Sequence, residues 1–338
     1  MCPICGNSQG NQQYAAREMM FGFRDQFTYI QCARCGVLFL SDPPADLGKY
    51  YPDSYYSLSS SPAEAFHNPI KNLVKRLQTN YAVTQHGALG RVATERFPMA
   101  HTHVESLAGL GLTHQSRILD VGCGSGFLVY ALKNAGFQAV AGIDPYIKED
   151  IRYPNGLSIR KQSIHEATGV WDVIMFHHAF EHIADPHETM QQVARLLAPA
   201  GVCLIRIPIS ASYAWQHYGP NWVQLDAPRH FFLHTPTSMR LLAQEAGLRM
   251  ENIIYDSTSF QFWGSELYSR DISLWVGQRM VDEIKAGVAP APTANAATDS
   301  PQPALFTRDD LARFEAQAQK LNEQQLGDQA GFYMRKPA

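Results

Sequence analysis

Residues 118–127 read ILDVGCGSGF. The apolar run at its start is typical of a buried strand, and Phe127 opens a helical pattern. Between them, Gly122, Gly124 and Gly126 stand at alternate positions. Glycine lets the backbone turn sharply and approach a ligand without a Cβ in the way. The stretch therefore predicts a ligand held between the end of a strand and the start of a helix.

Asp120 indicates which ligand this turn favours. Glycine spacing alone would also suit a dinucleotide, but a carboxylate at the end of the strand would repel a pyrophosphate. The same carboxylate would attract a ligand that carries an ammonium group. S-adenosylmethionine carries one.

The sequence on either side of this stretch alternates short apolar runs with helical patterns, which is typical of βα units around a parallel sheet. Helices are predicted from Phe127, from Pro186 with Asp185 as N-cap, from Pro236, and from about Pro69. We expect an α/β fold with a doubly wound, mostly parallel, seven-stranded sheet. Its strands are predicted at 117–121, 139–144, 157–161, 171–176, 202–208, 248–258 and 329–335.

The order of the motifs resembles that of class I S-adenosylmethionine-dependent methyltransferases. Residues 118–127 look like motif I of that family, and Asp144-Pro145 follows the next strand. Residues 171–186 are similar to the segment after strand four, and residues 196–202 to the turn before strand five. The resemblance implies a Rossmann-like methyltransferase fold with S-adenosylmethionine as cofactor, and Asp144 as the acceptor of both ribose hydroxyls.

The same resemblance implies which residues contact the cofactor. Ser163 and Ile164 would lie beside the adenine, and His177 near the methionine end. At Gln162-Ser163 many members of the family have an acidic residue that holds the adenine amino group, so Ser163 or a backbone carbonyl would replace it here. The full set is Asp120, Gly122, Cys123, Gly124, Gly126, Phe127, Asp144, Pro145, Ser163, Ile164 and His177.

Two histidines after the fourth predicted strand are candidates for the general base of methyl transfer. His178 and His182 are four residues apart, on one face if the segment is helical, and histidine accepts protons near neutral pH. We predict His182 as the base, with His178 as the second choice. Two alternatives stay open: surface or capping histidines, and a metal site that also includes Glu181.

Residues 213–230 combine aromatic side chains with polar groups. Such a segment suits a lid over a polar acceptor, because ring faces pack on sugar C–H surfaces while polar groups bind hydroxyls or phosphate. A helical hairpin docked by its tryptophans is the alternative. The predicted acceptor-binding residues are Tyr213, Trp215, Trp222, Asp226, Arg229 and His230.

Two C-x-x-C-G pairs lie near the N-terminus, and each can direct two thiolates at one tetrahedral ion. We predict a structural Zn²⁺ in a small β-rich ribbon, with incidental cysteine pairs as the alternative. The ligands would be Cys2, Cys5, Cys32 and Cys35. Cys123 and Cys203 lie in apolar strand contexts and are predicted to be packed thiols.

The pattern W-x-x-L-D-x-P-R-H at 222–230, joined to this ribbon, resembles a methyltransferase subgroup associated with modified sugars, surface polysaccharides and natural products. The resemblance implies O-methylation of a sugar, nucleotide-sugar or glycan. C-methylation of a keto-sugar, or methylation of another natural product, is an alternative. Two others are RNA or protein methylation with the ribbon as substrate reader, and a non-catalytic scaffold.

Composition limits the partners. The 338 residues hold 28 Lys and Arg against 31 Asp and Glu, a formal net charge of −3, with no basic block longer than a pair. This argues against nucleic acid as the main partner and leaves a small molecule as the expected one. No apolar run is long enough to cross a bilayer and no leader pattern is visible, so a cytoplasmic location is expected. The oligomeric state is left open.

Three segments are predicted along the chain. Residues 1–45 form the ribbon, residues 46–110 a connector with N-terminal helices, and residues 111–338 the methyltransferase domain. Within the last, residues 288–304 are rich in Ala and Pro with a single charge, which predicts a flexible insertion.

Overall fold

The structure, a computed structural model, describes residues 1–51, 62–97, 103–286 and 305–338. The predicted flexible insertion at 288–304 lies outside the described residues. The strands of the described residues are β1 Gln12–Arg17, β2 Gln26–Gln31, β3 Leu38–Leu40, β4 Ile118–Val121, β5 Val140–Ile143, β6 Ile151–Arg152, β7 Ser158–Arg160, β8 Trp171–His177, β9 Leu197–Pro208, β10 Phe232–Leu233, β11 Arg249–Tyr255 and β12 Gln329–Arg335. Their α-helices are α1 Pro62–Ala65, α2 Pro69–Thr84, α3 Ala88–Arg96, α4 Phe127–Asn134, α5 Pro186–Leu196, α6 Tyr213–Tyr218, α7 Pro236–Glu245, α8 Phe260–Ser269, α9 Leu274–Ala286 and α10 Arg308–Glu323.

The chain folds into two compact units. Unit 1 comprises 1–50, 208–239 and 254–330, and unit 2 comprises 51–207, 240–253 and 331–338. The three predicted segments, 1–45, 46–110 and 111–338, are continuous stretches of sequence, whereas each unit combines several stretches. The limits of the segments stay predictions.

Unit 2 is built on a mixed sheet in the order β11-β12-β9-β8-β4-β5-β7-β6. Strand β4 is parallel to β5 and β8, β5 is parallel to β7, and β8 is parallel to β9. All four residues of β4 are buried, which explains why three of them are apolar and makes Asp120 the exception. The carboxyl ends of β5, β4 and β8 meet at one edge, and that edge carries the turn at 122–126. The predicted α/β fold is confirmed.

The predicted count of seven strands is not confirmed, because the described residues place eight strands in this sheet. The additional strand is β6, which pairs antiparallel with β7 through Ile151 opposite Ile159 and Arg152 opposite Ser158. The connecting turn contains Asn155-Gly156, a sequence typical of tight hairpins. A two-residue strand has no periodicity to detect, so only this turn could have indicated it.

One strand boundary and one helix cap also differ from the predictions. Strand β9 begins at Leu197 rather than at 202 because Trp171 already pairs with Leu197, before the irregularity between Trp171 and Val173. Helix α5 begins at Pro186 as predicted, but the Asp185 side chain makes no capping hydrogen bond. The fixed φ of proline at the first helical position is sufficient to start the helix there.

Unit 1 contains an antiparallel sheet in the order β1-β2-β3-β10. Strand β10 pairs with β3 through Phe232 opposite Phe39, so a distant segment completes the sheet of the N-terminal ribbon. Behind the sheet, Tyr29, Trp215 and Trp222 belong to one buried cluster. A second cluster joins α8, α9 and α10.

No helix among the described residues is long and apolar enough to cross a membrane.

We expect Phe332→Ala to lower the free energy of unfolding by about 3–5 kcal/mol, because the ring is fully buried in β12 and its loss leaves a cavity. Ile254→Ala on the neighbouring β11 removes a side chain that is 46% exposed, so it should cost about 1 kcal/mol or less. Urea denaturation measures both changes. Equal losses in the two variants would contradict the assigned core.

Candidate functional site

The turn between β4 and α4 holds its glycines in conformations that other residues rarely adopt. The φ angles of Gly122, Gly124 and Gly126 are 72°, 53° and 82°, a region that costs a residue with a Cβ about 1–2 kcal/mol. A Cβ at Gly122 would also lie 2.4 Å from the Cβ of Ala179, and one at Gly126 would lie 2.6 Å from Cδ1 of Ile159. Both the conformation and the space therefore require glycine.

Asp144 ties this turn to the end of β5. Its Oδ2 accepts a hydrogen bond from the N–H of Gly124 at 2.9 Å, and its Oδ1 accepts one from the N–H of Tyr146 at 2.8 Å. Pro145 lies between Asp144 and Tyr146, within the turn that this second hydrogen bond closes. Each carboxylate oxygen can accept a further hydrogen bond, so the group can still receive two hydroxyl donors of a ribose.

Asp120 is buried at the end of β4, and its Oδ1 has no hydrogen-bond partner among the described residues. Burial raises the pKa of this carboxyl well above its usual range, and the charge of Asp144 raises it further. A buried acceptor without a donor costs about 1–3 kcal/mol. A cationic group would relieve both effects, so the site fits the ammonium of S-adenosylmethionine.

The remaining predicted cofactor residues lie around the same edge. Phe127 is the first residue of α4. Cys123 lies within the turn, where burial raises the pKa of its thiol well above the usual value. Ser163 donates its N–H and its hydroxyl to Oε2 of Glu166, at 2.7 and 2.9 Å. The buried Ile164 follows it.

His177 ends β8 with both ring nitrogens buried and without a hydrogen-bond partner among the described residues. Its ring stacks on that of His103, with centroids 5.8 Å apart and an interplanar angle of 9°. Burial lowers the pKa of His177 well below its usual value, and the positive charge of Arg206 lowers it further. The imidazole is therefore neutral at neutral pH.

His178 is held through both its backbone and its ring. Its φ of 51° lies in the left-handed region, and its N–H donates to the carbonyl of Arg206 at 2.9 Å. The guanidinium of Arg206 lies 2.8 Å from Nε2 of His178. Because a guanidinium only donates, Nε2 must accept and the ring proton belongs on Nδ1. That nitrogen lies 3.5 Å from Oε1 of the buried Glu181.

His182 ends a short 3₁₀ turn, Phe180–His182, that follows β8. Its Nδ1 lies 3.3 Å from the hydroxyl of Tyr51. The Tyr51 ring is nearly parallel to that of Tyr146, at an angle of 7° and a centroid distance of 6.3 Å. The two candidate bases thus have different surroundings, a guanidinium for His178 and a phenol for His182.

Sequence reasoning missed Arg206. This residue is 6% exposed and lies opposite His177 in the β8–β9 register. An arginine between Ile205 and Ile207 in a run otherwise typical of a buried strand was the available signal, because a buried charge needs a partner. The edge formed by β5, β4 and β8 brings together the glycine turn, both carboxylates and His177.

The four predicted zinc ligands cluster in unit 1. The Sγ atoms of Cys2, Cys5, Cys32 and Cys35 all lie within 4.8 Å of one another, and two pairs are 3.7 and 3.5 Å apart. Four sulfurs around a tetrahedral zinc, each about 2.3 Å from the metal, would be about 3.8 Å apart. The hydrogen bond with Cys35 lowers the pKa of Cys2 to about 5. The donor set and its spacing fit a structural zinc ion.

The predicted acceptor-binding aromatics contribute to the core of unit 1. Trp222 is fully buried, and its Nε1 donates to Oδ2 of Asp328 at 2.9 Å. Trp215 is 5% exposed and packs edge-to-face on Tyr14. Tyr213 stacks on His217. These contacts resemble the docked hairpin more than an open lid, and acceptor binding by the three aromatics stays a prediction.

Arg229 is fully buried in a charge cluster. Its guanidinium donates to Oδ2 and Oδ1 of Asp226 at 2.9 and 2.6 Å, and to Oε1 of the fully buried Glu18 at 3.0 Å. The charges of Asp226 and Glu18 raise the pKa of Arg229 despite its burial. Nε2 of His230 lies 3.7 Å from Asp226. These contacts connect segment 226–230 to the ribbon, and each charged group in them is paired within the protein.

A groove of about 400 Å³ opens in unit 1 beside the second cysteine pair. The size is within the usual range for small-molecule sites. No charged side chain lines it. Its lining residues are Tyr14, Gln31, Gly36, Ser210, Ala211, Trp215, Gln216, Gly219 and Thr235.

Comparison with known proteins agrees with this geometry. Residues 93–253 match the family described as "Methyltransferase domain". Residues 93–253 thus belong to a class I S-adenosylmethionine-dependent methyltransferase domain. The match includes the glycine turn, both carboxylates and the histidines after β8, so the resemblance seen in the sequence is confirmed at this level.

Two curated relatives carry the name ubiquinone biosynthesis O-methyltransferase. The protein from Maricaulis maris (strain MCS10) is 29% identical over 168 residues, which cover 43% of this chain and 65% of that one. The protein from Caulobacter sp. (strain K31) is 34% identical over 99 residues, which cover 26% of this chain and 39% of that one. The chain therefore spans less than two thirds of the length of either relative.

Solved structures show more distant likenesses. Mycolic acid cyclopropane synthase is 17% identical, with 72% of this chain and 87% of that chain covered and a TM-score of 0.43. A methyltransferase from Archaeoglobus fulgidus is 13% identical, with 81% and 97% covered and a TM-score of 0.39. Scores this low have no bearing on activity or acceptor.

We expect the affinity for S-adenosylhomocysteine, which keeps the ammonium group, to rise with pH until Asp120 is ionised. The pKa of Asp120 is raised in the free protein and an adjacent ammonium would lower it, so binding below the raised pKa must release a proton. Calorimetry in buffers of different ionisation enthalpy measures this release. Asp120→Asn should abolish it, whereas Asp150→Asn at an exposed acid should leave it intact. The same release in Asp120→Asn would contradict the assignment.

We expect the intact chain to carry one zinc ion and Cys35→Ser to lose it, because three thiolates cannot close a structural tetrahedral site. Metal analysis of the purified protein measures the stoichiometry, and thermal unfolding reports the lost stability. Cys203→Ala removes a buried thiol outside the cluster and should retain the zinc. Zinc content that is equal in both variants would refute the four-cysteine site.

Proposed function

We propose that the protein is a methyltransferase that transfers the methyl group of S-adenosylmethionine to a hydroxyl of a small polar acceptor. The observation that carries this proposal is the buried carboxylate of Asp120 with an acceptor atom left open beside the glycine turn. Together with Asp144, it offers one contact for an ammonium and two for ribose hydroxyls. The family match at 93–253 supports the same cofactor.

When bound, S-adenosylmethionine would supply an electrophilic methyl group: the acceptor oxygen would bond to the methyl carbon as the carbon–sulfur bond breaks in line and S-adenosylhomocysteine leaves. The chain aligns the reactants and excludes water, which can account for most of the rate enhancement. Asp120 and Asp144 would orient the two ends of the cofactor. The neutral ring of His177 would add no positive charge next to a sulfonium.

A hydroxyl acceptor also needs a general base, and the hydrogen bonds favour His182 over His178. The only lone pair of neutral His178 accepts from the guanidinium of Arg206, and a second ring proton would face that guanidinium. Nδ1 of His182 lies 3.3 Å from the Tyr51 hydroxyl, which can donate or accept, so this contact does not prevent the ring from taking up a proton. His178 would then position the segment between β8 and the 3₁₀ turn.

O-methylation is favoured over C-methylation by the names of the two curated relatives, which are both O-methyltransferases. Their names do not assign an acceptor to this chain. For the acceptor we propose a sugar, nucleotide-sugar or glycan. Support comes from the groove in unit 1, where the neutral amides of Gln31 and Gln216 and the ring of Tyr14 suit hydroxyl groups and C–H faces.

The cysteine cluster supports a structural role for the ribbon. We propose that Cys2, Cys5, Cys32 and Cys35 bind a Zn²⁺ that replaces the large hydrophobic core that so short a segment lacks.

An assay with radiolabelled S-adenosylmethionine tests the function. Sugar nucleotides and neutral glycosides form one arm and catechols the other, with incorporated label as the readout. Label in the sugar arm supports the acceptor proposal, and label in catechols alone refutes it while keeping O-methylation. No binding of S-adenosylhomocysteine in calorimetry would refute the function itself.

We expect His182→Gln to lower kcat by about 10²–10⁴-fold, the usual contribution of a general base, without changing the affinity for S-adenosylhomocysteine. His178→Gln should cost less, because the glutamine carbonyl can still accept the hydrogen bond from Arg206. His86 is exposed, so His86→Gln is the matched control and should leave kcat unchanged. A larger loss in His178→Gln than in His182→Gln would reverse the assignment.

A further inference from the structure

Helices α2 and α3 form an antiparallel hairpin in unit 2. The Gln78 side-chain amide donates to the carbonyls of Ala93 and Phe97, at 3.2 and 3.0 Å. A Cβ at Gly90 would lie 2.6 Å from the carbonyl oxygen of Leu77, so the two helices are in close contact. The two helices of the hairpin are therefore held together by contacts on their facing sides, and the side chains on the outer sides take no part in these contacts.

The outer side chains include large apolar groups in contact with solvent. Ile70 is 76% exposed and lies three residues before Leu73 on α2, and Leu89 is 73% exposed and lies three residues before Val92 on α3. Residues three apart share one face of a helix. Phe97, which directly follows α3, is exposed as well. Each helix therefore presents an apolar stripe, and burying such stripes is favourable.

The same hairpin is basic in an acidic chain. Residues 62–97 contain five Lys or Arg and two Glu, a net charge of +3, whereas the whole chain has −3. Arg91 lies 3.9 Å from Glu95. Within the described part of the chain, Lys71, Arg76 and Arg96 have no ion-pair partner.

We propose that the α2–α3 hairpin docks on an anionic lipid surface. Exposed aliphatic and aromatic side chains interleaved with cations are the combination by which helices lie in the interface of a negatively charged bilayer. A second copy of the chain fits less well, because a symmetric contact would place two surfaces of charge +3 against each other. The proposal goes beyond methyl transfer and does not depend on it.

Sedimentation of the full chain with vesicles tests the proposal. The probes are phosphatidylcholine vesicles with and without phosphatidylglycerol. We expect the protein to pellet only with phosphatidylglycerol vesicles and to be released by salt, because surface charges are screened. The double variant Ile70→Ser, Leu89→Ser should bind about tenfold or more weakly, with unchanged thermal unfolding and unchanged affinity for S-adenosylhomocysteine.

Three control variants outside the hairpin separate its contribution from general effects. Val170→Ser and Val276→Ser remove exposed apolar groups elsewhere and should keep vesicle binding. Lys71→Glu and Arg96→Glu should weaken binding and reduce its salt dependence, whereas Lys320→Glu on α10 should not.

Three results would overturn the proposal. One is no difference between the two kinds of vesicle, and another is equal binding by the hairpin and control variants. The third is evidence for another occupant. A dimer in light scattering that Ile70→Ser, Leu89→Ser dissociates would assign the surface to a second copy, and binding to duplex DNA that the same variant abolishes would assign it to nucleic acid. None of them affects cofactor binding, so the proposed function is tested separately.

Discussion

The candidate site depends on the hydrogen bonds of one carboxylate. Asp144 accepts from the N–H groups of Gly124 and Tyr146, and so joins the turns that follow β4 and β5. The N–H of Gly122 adds a backbone bond to the carbonyl of Ile143 at 2.8 Å, so the glycine turn is joined to the end of β5 at both its first and its middle glycine. The bond from Gly124 also places Asp144 close enough to Asp120 for their charges to interact, which raises the pKa of Asp120. One interaction therefore both shapes the binding turn and prepares it for a cationic ligand.

The features that could be predicted from the sequence are those with strong local signals. Three alternating glycines after an apolar run predicted the turn, and the run Gln329–Arg335 predicted the last strand with its observed limits. Strand β6 could not be predicted because two residues have no periodicity. The partner of His178 could not be predicted either, since Arg206 lies on another strand and only the register of β8 and β9 brings the two together.

Segment 222–230 shows why residue type alone does not identify an acceptor site. Arginine and aspartate next to tryptophans are as typical of a sugar site as of a buried ion pair within a core. The deciding partner is Glu18, which is distant in sequence and fully buried against Arg229. Removing one member of such a buried ion pair lowers the free energy of unfolding by about 3–5 kcal/mol. Loss of activity in an Arg229 variant would therefore not by itself indicate substrate contact.

The pairing of β3 with β10 has a consequence for synthesis of the chain. Cys2 and Cys35 are synthesised long before Phe232, so Phe39 meets its partner strand only after both cysteine pairs have left the ribosome. Loop closure over such a separation is slow. During translation the thiols would be held by a metal ion or remain exposed to oxidation until the sheet is complete. The proposed zinc ion would therefore have its protective role before the sheet exists as well as after it.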